Sequence, residues 1–326
     1  MEFLGTSEKI LVYVVYLAPL VMAFVCGSVI GSLSNVAIHR IPLKKSLLNP
    51  PSHCPTCETR IAWYDNVPVI SWLRLRGKCR HCGIKISPRY IIVEFLSGAL
   101  YVAVLWVFGY MPLEAERLAG ALPNLSNFTW TIIPILGKAY IFTTFLLILT
   151  FIDLDIGKLP DRLTLPGMIV GFILAFAIFP EGPREWRSMH IGLMYLDSLY
   201  GWFLGGAVLY LLATGWKGGM GGGDIKLCAM MGAFLGWKAM IVCLFAGFLL
   251  GAIFSVGLMV LKIATMKSKI PFGPYLALGG FLAMLFGKKI AWVYFIVGIQ
   301  HKPMEFALEK ISSLPDYLSH LINLIA

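Results

Sequence analysis

The chain has 326 residues, of which 58% are hydrophobic and only 13% charged, and its mean hydropathy is +0.80. Such a composition excludes a water-soluble globular domain and a disordered segment, and places the chain in a bilayer. The formal net charge of +10 gathers in one loop, where anionic membrane lipid accounts for it and no nucleic-acid partner is expected.

A spanning helix needs about 20 mostly apolar residues. Runs of that order occupy 10–33, 90–109, 130–151, 163–180, 193–214 and 239–264. Two shorter runs, 225–236 and 272–287, are flanked by Gly or Pro. The sequence therefore predicts an all-α polytopic membrane protein with about eight transmembrane helices. The first run starts nearly neutral and lacks a small-residue cleavage site, so it reads as a retained span. Residues 289–300 form a further apolar stretch. In the tail, Leu308, Ile311, Leu318, Ile322 and Ile325 can share one helical face, interrupted at Pro315, which suits an interfacial helix. The expected units are a first span (1–35), a cytoplasmic metal-binding loop (36–89), a transmembrane core (90–300) and an amphipathic tail (301–326).

Charge sets the orientation. Between residues 36 and 89 there are ten Lys and Arg, opposed only by Glu58 and Asp65. The positive-inside rule puts this loop in the cytoplasm. Counting spans onward returns 152–162 and 215–224 to the same side.

The loop carries Cys54-Pro-Thr-Cys57 and Cys79-Arg-His-Cys82. Paired C-x-x-C knuckles at this separation offer four thiolates to one tetrahedral zinc, and four ligands leave no open position, so the site is structural. An iron–sulfur cluster is the chemical rival; a disulfide framework suits a reducing compartment poorly. His53 and His81 read as exposed loop residues. Cys26, Cys228 and Cys243 lie in apolar runs and read as buried small hydrophobes.

Two aspartates stand at membrane boundaries, where an ionised carboxylate is costly unless paired, solvated or used. Asp153 follows FTTFLLILTFI with no turn between. Asp224 follows Gly218, Gly219, Gly221, Gly222 and Gly223, glycines that let a substrate backbone approach closely. Two carboxylates on one membrane face suggest a dyad that splits a peptide bond with water. Asp161 fits a helix cap, Lys226 a snorkelling interfacial residue, and Asp155 either a solvated loop acid or a partner of the site. A transporter using the aspartates as an ion relay is the competing class; it predicts mid-membrane carboxylates and repeated halves, and neither is visible. A zinc hydrolase would need an H-E-x-x-H or an open three-ligand site, and the sequence has neither.

The runs from Asp153 to Asp161 and from Gly219 to Asp224 resemble those of type IV prepilin peptidases, of the GxGD class of intramembrane aspartic proteases. The resemblance extends to GSLSNVAIHRIP (Gly31–Pro42), both knuckles, Trp63–Cys82, ISPRYIIVE (Ile86–Glu94) and IPFGPYLALGG (Ile270–Gly280). Ser34 and Ile91 replace the commoner Leu and Pro. The resemblance implies a multi-pass enzyme of the bacterial cytoplasmic membrane with its active site at the cytoplasmic face. It would remove the basic leader of type IV prepilins or pseudopilins and methylate the new N-terminus with S-adenosylmethionine. By position, Asp153 and Asp224 match its catalytic pair, the four loop cysteines its zinc ligands, and Gly77, Lys78 and Asp65 positions linked to methyl transfer. Glu94, Asp155 and Asp161 are candidate acids for the leader's positive charge. The cysteines favour the bifunctional form over a preflagellin-type peptidase.

Overall fold

The computed structural model describes residues 17–110, 125–177, 194–215, 221–263, 265 and 271–294. Among them the regular structure is helical: α1 (Ala18–Arg40), α2 (Ile70–Arg74), α3 (Arg89–Leu105, continued by a π turn Trp106–Tyr110), α4 (Leu125–Ile156), α5 (Asp161–Ala177), α6 (Met194–Gly215), α7 (Gly222–Leu235), α8 (Trp237–Val260) and α9 (Gly273–Tyr294). Each of the eight predicted apolar runs overlaps one of these helices. The N-terminal part of the first run, Gly218, Gly219, residues beyond 294 and the amphipathic tail lie outside the described residues.

Among the described residues, five helices are long and apolar enough to cross a membrane, within Ala18–Arg40, Arg89–Tyr110, Ile132–Ile156, Leu196–Gly215 and Trp237–Val260. Their exposed faces show why a bilayer is needed. On α8, Ile241, Phe245, Leu249, Ile253, Val256 and Val260 form one exposed apolar stripe at helical spacing. On α1, Met22, Val25, Val29 and Leu33 do the same. Water in contact with such stripes would oppose folding; acyl chains do not.

Helix α4 is the hub. It packs on α1 and α3 on one side, and on α9, α5 and α7 on the other. The larger core joins Phe142, Leu146 and Leu149 of α4 to Leu209 of α6, Leu227, Met230 and Met231 of α7, Met240 and Cys243 of α8, and Leu276 of α9. A smaller core joins Ile38 of α1, Val93 of α3 and Ile148 and Ile152 of α4. Backbones meet at small residues, as expected where lipid gives no hydrophobic drive between helices. A Cβ at Gly31 on α1 would lie 2.8 Å from the Glu94 Cα and from the Ser97 Cβ of α3. Gly232 of α7 meets the Gly201 carbonyl of α6 still more closely.

Helix α7 has 14 residues, a rise of about 21 Å at 1.5 Å per residue. It is short because protein, not lipid, surrounds it: every residue from Leu227 to Leu235 is buried. Cys228 and Cys243 are buried as expected, but Cys26 is exposed on the outer face of α1. A transmembrane helix is apolar all round, so composition alone does not show which face a small residue takes.

Candidate active site and metal centre

The last turn of α4 carries Asp153, which is 5% exposed. The first turn of α7 carries the half-buried Asp224, entered through the extended N-cap Gly221. The two carboxylates are close enough to repel one another electrostatically. The starts of α5, α7 and α9 gather at this end of the bundle around the end of α4. Gly223 packs on Leu159, Lys226 pairs with Asp161 at 2.7 Å, and the Gly273 N–H donates to Asp153 Oδ2 at 3.0 Å. Arg89, where the basic loop ends, pairs with Asp155 at 2.6 Å. The aspartates and the loop therefore lie at one end of the molecule.

Gly273 opens α9, and its N–H is one of the orphan donors of a helix start, so a carboxylate is its natural partner. A Cβ there would lie 2.6 Å from Asp153 Oδ2 and 3.0 Å from Cγ. Gly273→Ala is expected to displace the carboxylate while leaving α9 helical. We expect kcat for leader cleavage to fall on the order of 10²-fold, with little change in melting temperature. A steady-state assay on a leader peptide beside a melting curve checks this.

The three acids proposed for the leader are engaged elsewhere. Asp155 pairs with Arg89, and Asp161 with Lys226, which thereby ties α7 to α5. Glu94 Oε2 accepts the Val69 N–H at 2.7 Å. That bond steadies a tight turn in which Val69 has φ 63° and the Ile70 N–H donates to the Pro68 carbonyl at 2.6 Å, a conformation costly for a β-branched residue.

In the loop, the Sγ atoms of Cys54, Cys57, Cys79 and Cys82 all lie within 4.8 Å of one another, a group able to hold a metal ion. Two knuckles build it with one pattern. Cys54 N–H donates to the Thr59 carbonyl and Glu58 N–H to Cys54; Cys79 N–H donates to Ile84 and Gly83 N–H to Cys79. An antiparallel bridge closes each, His53 with Arg60 and Lys78 with Lys85. The fifth residue of each knuckle takes a positive φ, 56° at Glu58 and 70° at Gly83. Hydrogen bonding from Thr59 lowers the Cys57 thiol to about 6. Cys82, despite a backbone hydrogen bond at Ile84, is pushed up to about 12 by partial desolvation and the neighbouring sulfurs. Four thiols this close ionise together only around a cation. His53 and His81 are exposed and stand outside the cluster.

Residues 140–256 match the Type IV leader peptidase family, and residues 25–108 match the Bacterial Peptidase A24 N-terminal domain. A curated relative from Stutzerimonas stutzeri, a prepilin leader peptidase/N-methyltransferase, is 35% identical over 302 residues, which cover 85% of this chain and 94% of the relative. The chain belongs to the type IV leader peptidase family. Relatives of the same name in Aeromonas salmonicida and Pseudomonas aeruginosa are 36% and 33% identical, over 84% and 86% of this chain and 92% and 96% of theirs. No solved structure matches the chain. Of the two family matches, the peptidase region holds both aspartates, and the N-terminal region holds the four-cysteine loop and Arg89.

The positions linked by resemblance to methyl transfer have structural work of their own. Gly77 has φ +65°, and a Cβ there would lie 2.8 Å from the Trp72 ring. Its carbonyl accepts the Ile86 N–H at 2.7 Å. Asp65 binds Arg80 through both oxygens at 2.6 and 2.5 Å, and this guanidinium holds its carboxyl below the usual range. Lys78 lies in the second knuckle's bridge. Sequence reading assigns no role to Gly273 or Arg89. A glycine between Phe272 and Pro274, and an arginine at the end of a basic loop, carry no signal of the contacts they make across the fold.

Proposed function

We propose that this protein is a membrane-embedded aspartic endopeptidase that removes the basic leader of type IV prepilins or pseudopilins and then N-methylates the new N-terminal residue. The observation that carries this reading is the placement of Asp153 and Asp224, from helices far apart in the chain, at the same end of the bundle. The family and the names of its relatives support it.

Asp153 and Asp224 are the catalytic pair. Two mutually repelling carboxylates share one proton. The ionised member takes a proton from water, whose oxygen attacks the scissile carbonyl carbon. The protonated member gives its proton to the carbonyl oxygen, and the tetrahedral species collapses as the leaving amine is protonated. The Gly273 N–H fixes one oxygen of Asp153, so the pair is oriented before substrate arrives. Placement at the cytoplasmic face leaves the charged leader in water and the pilin's apolar helix in lipid.

The four cysteines hold zinc. A tetrahedral site with Zn–S of about 2.3 Å puts sulfurs about 3.8 Å apart, and Cys54–Cys82 and Cys57–Cys79 stand at 3.7 and 4.0 Å. The ion supplies folding energy to the loop. S-adenosylmethionine is the methyl donor, with the loop around Asp65, Gly77 and Lys78 as its side of the enzyme. The nucleophile is the neutral form of the freed amine, which an ordinary α-amino pKa near 8 provides.

The test is mass spectrometry of a prepilin incubated with purified protein in lipid, with and without S-adenosylmethionine. Leader loss in both samples, and one added methyl only with the donor, is the expected result. An intact prepilin overturns the reading, and leader loss without methylation removes its second half.

A further inference from the structure

We infer that Arg89 is a positioning residue for Asp153; the inference rests on the aspartate-pair reading and deepens it. Asp153 sits three residues before the end of α4 at Ile156, and terminal turns fray because their carbonyls lack helical partners. A group meant to act on a scissile bond cannot sit on a fraying turn, since a misplacement of about 1 Å costs about 10²-fold in rate.

Three fasteners hold this turn. Gly157, with φ +64°, turns its N–H back to the Asp153 carbonyl at 2.8 Å, a left-handed C-cap. The Gly273 N–H holds the Asp153 side chain. Arg89, from the first turn of α3, holds the last turn from the side. Its Nη2 donates to the Phe151 carbonyl at 3.2 Å and pairs with Asp155 Oδ2 at 2.6 Å. Its guanidinium also lies 5.3 Å from the centre of the Phe151 ring. The two residues it grips, Phe151 and Asp155, flank Asp153 symmetrically. A cation at a helix C-terminus also meets the negative end of the helix dipole.

The pair is half-exposed, at 36% and 37% of side-chain area. Such ion pairs contribute little to global stability, so the clamp acts on where Asp153 stands rather than on whether the protein folds. Both bonds leave one nitrogen, Nη2, while the planar guanidinium lies over the Phe151 ring; a lysine ammonium matches the charge but not that stacking. Arg89 follows Ser87 and Pro88 directly out of the cysteine loop, so the loop's last residue seats the peptidase aspartate.

The experiment compares wild type, Arg89→Ala, Arg89→Lys and Asp153→Asn in lipid. It measures kcat and KM for leader removal, methyl transfer to an already cleaved pilin, and melting temperature. Arg89→Ala is expected to lower kcat about tenfold to a hundredfold, with KM within about twofold. Arg89→Lys should fall between it and wild type. Methyl transfer and melting should be unchanged, and low concentrations of guanidinium ion should restore part of the lost kcat. Wild-type kcat in Arg89→Ala overturns the inference. So does a parallel loss of cleavage, methyl transfer and melting temperature, which would make Arg89 merely structural. Cleavage surviving in Asp153→Asn would bring down the aspartate-pair reading and the clamp with it.

Discussion

Asp153→Asn and Asp224→Asn are each expected to abolish leader removal, with a loss on the order of 10³-fold or more, because groups that act as a unit fail together. Asparagine matches aspartate in shape but neither draws a proton from water nor passes one on. In Asp153→Asn the new amide oxygen would still accept the Gly273 N–H that now reaches Asp153 Oδ2, so the fold should persist. The double variant should be no slower than either single one. Methyl transfer to an already cleaved pilin should survive in all three variants, which separates lost chemistry from lost structure. Residual cleavage near the wild-type rate in either variant would remove that aspartate from the mechanism.

Stripping metal from the four-cysteine site should have the second large effect. Between residues 41 and 88 only Cys54, Ser71 and Gly77 are buried, so the loop has no apolar core to stand on. Structural zinc contributes about 10–16 kcal/mol to small thiolate domains; nothing else in this loop approaches that. A strong chelator, or Cys79→Ser, is therefore expected to unfold the two knuckles and end methyl transfer. Protease digestion should then cut between residues 50 and 85, while the helices stay protected in the bilayer. Leader removal should fall less than methyl transfer, because Asp153, Asp224 and Gly273 draw no contact from the knuckles themselves. Metal analysis of the purified protein should give one zinc per chain, lost in parallel with protease resistance. An undigested, metal-free loop would sink this account.

Much of this architecture is legible in sequence because its signals are local. The long apolar runs, the basic loop and the paired C-x-x-C spacing each state their physics within a few dozen residues. Asp153 and Asp224 are legible for a related reason: a carboxylate at the edge of an apolar run is costly and calls for a use. What stays hidden depends on contacts between distant segments. Gly273 lies 120 residues from the carboxylate it holds. Arg89 and Phe151 are 62 residues apart, and Lys226 and Asp161 are 65 apart. Asp155 reads as a loop acid or a partner of the site, and Asp161 as a helix cap, because the cations they pair with arrive from other helices. The run at 225–236 reads as short for a span because hydropathy does not tell a helix sheathed in protein from one facing lipid. Cys26 is misread for the same reason.

The two knuckles also set an order of events during synthesis. Each contributes two of the four sulfurs, so a nascent chain that has exposed Cys57 but not Cys79 holds half a site and binds metal weakly. The loop must wait, unfolded, while α1 is already in the membrane. Closure becomes possible when Cys82 leaves the ribosome, a few residues before the second span begins at Arg89. Were metal lacking at that moment, the second span would enter the bilayer beneath an open strand rather than a finished platform.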